Sequence, residues 1–216
     1  MFAAFLIKMC TDSSIEHSVM EQPDQSIALS RFRKKLESFT PLTDNEFSLW
    51  KNLMQEKRVS KGEVLLKEGQ VCRQFYFILT GCLRSFSLEE GREVNLSFYF
   101  EDDFACDFES FRKEEPAKFY LVAMEDTVVY IASKKEAVPV LQSEPAFSVF
   151  LFRFFQDLFF NESQHSNSFK IMTPEQRYHF LLENKAHYLQ RIPLTHLASY
   201  LGMSRETLTR IRKKTY

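Results

Sequence analysis

The stretch Leu194-Thr-His-Leu-Ala-Ser-Tyr-Leu-Gly-Met-Ser-Arg-Glu-Thr-Leu-Thr-Arg-Ile-Arg-Lys-Lys214 decides how the chain is read. Leu194, Leu197, Ala198 and Leu201 recur three and four residues apart and form the buried stripe of a short helix. Gly202 stops that helix, because glycine enters the left-handed backbone region that a tight turn requires. Ser204 is a good N-cap for a second helix. In that helix Leu208 and Ile211 face inward, leaving Arg205, Glu206, Thr207, Arg210, Lys213 and Lys214 for solvent or a partner. An arginine can donate a bidentate pair of bonds to guanine O6 and N7, and a glutamate can accept from the cytosine N4 amine. Residues at the front of the second helix are the ones that meet base edges in a helix-turn-helix. Ser204 and Thr207 are suited to a phosphate, through hydroxyl and backbone N–H groups. From Ser204 to Tyr216 there are five Arg or Lys and one Glu, a local charge of +4 in a chain of net charge −1. The pattern predicts a helix that reads double-stranded DNA. The plainer alternative is a basic surface helix favoured by its own dipole.

Leu197-Ala-Ser-Tyr-Leu-Gly-Met-Ser-Arg-Glu-Thr-Leu-Thr-Arg-Ile211 resembles the DNA-binding signature of the Crp/Fnr family of bacterial transcription regulators, with its Ser-Arg-Glu-Thr-x-x-Arg pattern. The resemblance implies base contacts from Arg205, Glu206 and Arg210 and phosphate contacts from Ser204 and Thr207. Lys213 adds a contact of the sequence-independent kind. It also implies RNA polymerase as a partner. Many family members continue into a β-hairpin wing; this sequence ends at Tyr216, two residues after the basic run, so no following wing is expected.

The 216 residues are 44% apolar and 26% charged, the composition of a water-soluble globular chain of one large or two modest domains. The 23 phenylalanines predict a core rich in aromatic packing. No apolar run approaches the ~20 residues of a membrane span, and a cytoplasmic protein is expected. Cys10, Cys72, Cys82 and Cys106 are far apart without a C-x-x-C pair, and the five histidines form no ligand spacing, so neither a metal nor a cofactor is expected. The strands offer no convergent acid–base set, which argues against an enzyme built on a β-barrel pocket.

Residues 1–26 read as a tail. The apolar opening Met1-Phe-Ala-Ala-Phe-Leu-Ile-Lys-Met-Cys10 lacks a basic leading region and is interrupted by Lys8, unlike a signal peptide. Met20 is a plausible start, with residues 1–19 an over-extended or loosely held segment.

Residues 27–144 read as a sensor domain. Two helical patterns come first: Ile27, Leu29, Phe32 and Leu36, then Phe47, Trp50, Leu53 and Met54 behind a capping box of Thr43 and Glu46. Trp50 reads as core. From Lys57 to Ala132 the period becomes two, with strands expected at 63–66, 75–80, 82–88, 93–100, 117–124 and 127–132 between glycine turns. Gly81 follows Phe75-Tyr-Phe-Ile-Leu-Thr at a sharp corner. Short, evenly spaced strands of this kind predict a small barrel or roll. The stretch from Lys61-Gly-Glu to Glu90-Gly resembles the cyclic-nucleotide-binding domain of the same family. The ligand signature is missing from it: where Phe-Gly-Glu and a phosphate-clamping Arg are expected, the chain has Asp103-Phe-Ala-Cys-Asp107 and Pro116-Ala-Lys-Phe-Tyr120. Phe119 and Tyr120 would fill the phosphate space, and Lys118 restores charge without the bidentate fork. Cyclic AMP is therefore not the expected ligand; another effector, of unknown chemistry, or a filled and purely structural interior remain as alternatives. A cyclic-nucleotide module acting on a protein partner would leave Ser204–Arg210 unexplained.

Residues 145–172 read as one long helix with seven phenylalanines from Phe147 to Phe160. Phe147, Leu151, Phe154 and Leu158 form a heptad seam, and Phe152, Phe155 and Phe159 a second stripe. A helix this apolar must be covered on both sides. Either it is buried in a monomer, or the seam meets a second copy in a homodimer that reads two half-sites of a pseudo-palindromic operator. Thr173-Pro-Glu-Gln opens a final unit, residues 173–216, in which Tyr178, Leu181, Leu182 and Tyr188 pack toward the helix-turn-helix. The expected class is thus α+β: an N-terminal double-stranded β-roll of cyclic-nucleotide-binding type, a long dimerisation helix and a C-terminal helix-turn-helix.

Overall fold

The computed structural model describes residues 24–215. The expectations for residues 1–19, Met20 and Cys10 lie outside them. Helix α1 (Gln25–Glu37) begins at Asp24, whose carboxylate accepts from the Ser26 N–H at 2.9 Å, slightly before the end of the expected tail. It buries Ala28, Phe32 and Leu36, one residue per turn. Helix α2 (Asp44–Leu53) carries the predicted capping box: Thr43 N–H donates to Glu46 at 2.7 Å and Glu46 N–H donates to Thr43 Oγ1 at 3.3 Å.

Eight antiparallel strands follow: β1 (Gln55–Val59), β2 (Val64–Leu66), β3 (Gln74–Thr80), β4 (Leu83–Glu89), β5 (Arg92–Tyr99), β6 (Phe104–Ala105), β7 (Tyr120–Ala123) and β8 (Thr127–Ser133). They make two four-stranded sheets, β1-β8-β3-β6 and β2-β7-β4-β5. Tyr76 faces Ile131 across β3 and β8, and Leu83 faces Ala123 across β4 and β7. Gly81 has φ +96°, and an added Cβ would stand 2.8 Å from the backbone of Asp126, so the corner admits only glycine. Strand β1 escaped the sequence reading because it is an edge strand, Gln-Glu-Lys-Arg-Val, with only Val59 buried. Strand β6 has two residues, too few to show a period. Helices α3 (Phe108–Lys113) and α4 (Lys134–Gln142) were also unforeseen. The first is a single turn and a half held by Asp107, which accepts from Ser110 N–H at 3.0 Å. The second contains Pro139, which normally argues against a helix.

Helix α5 (Pro145–Ile171) is followed by α6 (Pro174–Asn184), α7 (Ala186–Arg191), α8 (Leu194–Tyr200) and α9 (Arg205–Thr215). Three apolar clusters hold these parts together. Strand β3 serves two of them through its period of two: Phe77 and Leu79 point out under α1, α2 and α5, whereas Tyr76 and Ile78 point into the roll. Phe32 is fully buried, with its ring 4.9 Å from Phe77 and in edge contact with Trp50 and Tyr130. The third cluster joins Phe98 and Phe100 to Tyr178, Leu181, Tyr188, Leu197, Leu201, Leu208 and Ile211, so the last helices share a core with the second sheet.

The faces of α5 differ from the expected assignment. Phe147, Leu151 and Phe154 pack against the body of the same chain, with Phe147 5.1 Å from Trp50 and Phe154 5.7 Å from Phe39, and Leu158 is half-buried. The seam expected to meet a second copy is thus used internally. The outward side carries Val149, Phe152, Phe155, Phe159 and Phe160, with Phe152 and Phe159 each 70% exposed. Heptad spacing revealed two stripes; it held no information about which of them the roll covers.

Candidate nucleic-acid interface

Helices α8 and α9 meet at a turn whose hydrogen bonds follow from Gly202. With φ +62° there, Met203 N–H reaches back to Ala198 O and Gly202 N–H to Ser199 O, both at 3.0 Å, which is a Schellman closure. Ser204 then caps α9: its Oγ accepts from Thr207 N–H at 3.1 Å and donates to Thr207 Oγ1 at 3.1 Å. The Ser204 hydroxyl is therefore engaged within the cap, while the Thr207 hydroxyl proton and the first-turn N–H groups remain for an anion. Leu208 and Ile211 are buried as expected, which turns Arg205, Glu206, Arg210 and Lys213 outward, all exposed. Together with Thr209 and Lys214 they line one shallow face, on two adjacent ridges of four-residue spacing. Among the described residues no salt bridge engages Arg205, Arg210, Lys213 or Lys214. The Glu206 carboxyl is held below its ordinary pKa, first by its own backbone N–H, then by the Ser204 hydroxyl and Arg205.

The turn is anchored from behind by residues that sequence reading did not single out. Arg177 of α6 is buried and donates to Leu201 O at 2.9 Å, to Met172 O at 2.9 Å and to Gly202 O at 3.4 Å. Its guanidinium lies 4.8 Å from the ring of Phe169, the ring that a Cβ on Gly202 would strike at 2.5 Å. His165, one turn earlier on α5, stacks on Tyr200 of α8 at 4.5 Å. The end of α5 and the α8–α9 corner thus touch directly. An arginine next to Tyr178 on an amphipathic helix gives no sign in the sequence that it will be buried.

The same unit is fastened to β5. Asn95 N–H donates to Ser199 Oγ at 3.0 Å, Ser199 Oγ donates to Glu93 O at 3.2 Å, and Tyr188 OH donates to Phe98 O at 3.2 Å. Arg191 forks onto Glu101 at 2.6 and 3.0 Å and also reaches Glu125. His196 stands 3.4 Å from the Asn95 amide, and Arg84, bonded to Asn95 Oδ1 and paired with Glu93, completes the contact.

In the roll, the segment where a phosphate clamp was sought is turned inside out. Lys118 is exposed and paired with Glu109 at 3.2 Å, away from the interior. Ala117 is buried, Phe119 packs into the interior cluster and Tyr120 stacks on Phe86 at 5.0 Å. Cys72 and Cys106 face each other there, 3.6 Å between sulfurs. The Cys106 contact brings the Cys72 thiol down to about 7. Among the described residues no group of His, Cys, Asp and Glu has a metal-binding arrangement. No helix among them is long and apolar enough to cross a membrane.

Residues 56–144 match the cyclic nucleotide-binding domain family. No curated protein matches the chain. Among solved structures the fold is similar to FixK2 of Bradyrhizobium japonicum, with a TM-score of 0.65 at 19% identity over 74% of this chain and 83% of that one. It is similar to a CooA double mutant from Carboxydothermus hydrogenoformans, with a TM-score of 0.63 at 18% identity over 80% of each chain. A transcriptional-regulator structure of the crp/fnr family from Eubacterium rectale gives a TM-score of 0.62 at 19% identity over 80% of this chain and 83% of that one. The β-roll segment is thus similar to cyclic nucleotide-binding domains, and the fold of the chain is similar to that of solved Crp/Fnr-type regulators.

Two consequences can be measured. Arg177→Met leaves three carbonyls without their buried donor, so it should cost about 2–4 kcal/mol of stability. Amide exchange at Gly202 and Met203 should accelerate with it; unchanged exchange would remove Arg177 from the anchoring role. His165 and His196 both have lowered pKa values, chiefly through burial. The native state therefore refuses a proton that the unfolded chain takes up near pH ~6.5. Their contribution to stability is present above that pH and is lost as the pH falls through it. Melting temperature should drop on acidification from neutral, and by less in a His165→Gln/His196→Gln variant; equal drops would refute the linkage.

Proposed function

We propose that the chain is a DNA-binding transcriptional regulator of the Crp/Fnr type, acting as a homodimer on a pseudo-palindromic operator. The observation that supports this reading is the set Arg205, Glu206 and Arg210, exposed and without a salt bridge among the described residues, on a helix whose front turn is held by a closed glycine corner. A guanidinium–carboxylate–guanidinium face of this kind matches guanine and cytosine edges in the major groove. Ser204, Thr207 and Lys213 are assigned to the phosphate backbone, which sets position and salt dependence without sequence choice. RNA polymerase is the partner by family resemblance, and no catalytic role is assigned.

The dimer is assigned to the outward stripe of α5. Val149, Phe152, Gln156, Phe159 and Ser163 alternate at spacings of three and four, which is a coiled-coil seam. Exposed phenylalanines in such a row mark an interface. The filled interior around Tyr76, Cys106 and Phe119, with Lys118 paired outside, supports a sensor that does not take cyclic AMP. Residues 27–144, 145–172 and 173–216 then act as sensor, dimer helix and DNA-reading unit.

Selection of bound duplexes from random DNA tests the base contacts. Arg205→Ala or Arg210→Ala should cost ~1–3 kcal/mol and relax choice at one base position. Lys213→Ala should weaken all sequences alike and flatten the salt dependence by about one unit of slope. Retention of the parental site preference by the arginine variants would refute the assignment, and cyclic AMP should leave the affinity unchanged. For the dimer, Phe152→Glu with Phe159→Glu should give a monomer in light scattering while leaving the fold intact. A persistent dimer would move the interface elsewhere.

A further inference from the structure

Outside the roll, a cavity of about 270 Å³ lies between the outer face of the first sheet and helices α3, α4 and α5. It is separate from the roll interior, where the family's cyclic nucleotide would bind: its strand residues Phe75 and Phe104 sit on the helix side of the sheet. Its walls are mostly aromatic, with Ala137, Val138 and Leu151 completing the apolar lining, and Phe108 lies 5.1 Å from Phe154 and Phe75 6.2 Å from Phe111. The polar side chains in its lining are two cations, Arg112 and Lys134. Lys134 is paired with Glu114 at 2.8 Å and lies 5.6 Å from the Phe111 ring. Arg112 is exposed and has no salt bridge among the described residues.

We infer that this cavity binds a small aromatic monocarboxylate, its ring among the phenylalanines and its carboxylate against Arg112 at the rim. The volume lies just below the ~300–1,000 Å³ range of small-molecule sites, so it suits one ring on a short chain. Aromatic walls receive a ring edge-to-face, and a water has no polar partners among them. A free guanidinium beside an apolar chamber selects an anion with a greasy body, and its planar fork matches a carboxylate. A nucleotide fits the site poorly, because its ribose hydroxyls would lie against apolar walls with donors only at the rim. The occupant would touch Phe147 and Phe154 of α5, behind the exposed stripe, and Phe155 at the edge of that stripe, which places it where a small molecule can bias that helix.

Trp50 is the chain's only tryptophan and lines the cavity, so its emission reports occupancy. Phenylbutyrate titrated into the full-length protein should change that emission saturably, and the neutral analogue phenylbutanol should bind more weakly. Arg112→Gln, on an exposed side chain, should weaken phenylbutyrate about fivefold and leave phenylbutanol unchanged. Val138→Phe, which fills the cavity from α4, should abolish both responses. A linear, non-saturating response, or full affinity in Val138→Phe, would overturn the site. Equal binding of acid and alcohol, or no effect of Arg112→Gln, would overturn the ligand class. No DNA enters the assay, so its failure leaves the regulator reading intact, and the reverse holds.

Discussion

A buried guanidinium organises the functional end of this molecule. Arg177 supplies donors to the carbonyl of Met172, the residue that caps the end of α5, and to the two carbonyls at the α8–α9 corner. Carbonyls at helix ends have no intrahelical partner, and burying them unsatisfied is costly. One planar group solves the problem for two helix ends at once, because its N–H groups diverge in a fixed plane. The orientation of α9, and hence the direction in which Arg205 and Arg210 point, is set by this contact together with the Phe169–Gly202 approach. A movement of α5 along its axis must be felt at the turn.

The face of α9 gathers Arg205, Arg210, Lys213 and Lys214 with no salt bridge to any of them among the described residues. On the body several cations are matched: Arg31 with Asp102, Arg33 with Glu37 and Asp44, Lys57 with Glu63, Lys113 with Glu109 and Arg191 with Glu101. Such exposed pairs add little stability each. Each pair neutralises its own cation locally, whereas the cations of the α9 face have no such neighbour among the described residues. A chain of net charge −1 can in this way attract a polyanion to one place.

The docking of the last helices on β5 gives the roll and the exposed helix a common core. Ser199 bridges the backbone of Asn95 and Glu93, and Tyr188 reaches the backbone of Phe98. Glu93 and Asn95, two apart, therefore contact α8, and Phe98 contacts α7, while Leu83 and Ser85 on the neighbouring β4 line the roll or its rim. A single layer of sheet separates the roll interior from α8.

Much of this was legible residue by residue. Gly202, Ser204, Leu208 and Ile211 are local signals, since left-handed φ, capping and a 3.6-residue period act within one turn of chain. The Thr43–Glu46 box and the Gly81 corner were readable for the same reason, as were the strongly alternating strands. What escaped was decided by distant partners. Strand β1 is recognisable only through its pairing with β8, and the burial of Arg177 only through carbonyls 24 and 25 residues away. The sequence by itself determined that α5 has two apolar stripes and that α9 has a polar face. Only the tertiary structure decided which stripe the roll covers, how the phosphate-clamp segment is filled, and that a chamber remains beside Trp50. A period records the geometry of one helix, whereas burial depends on what the rest of the chain brings against it.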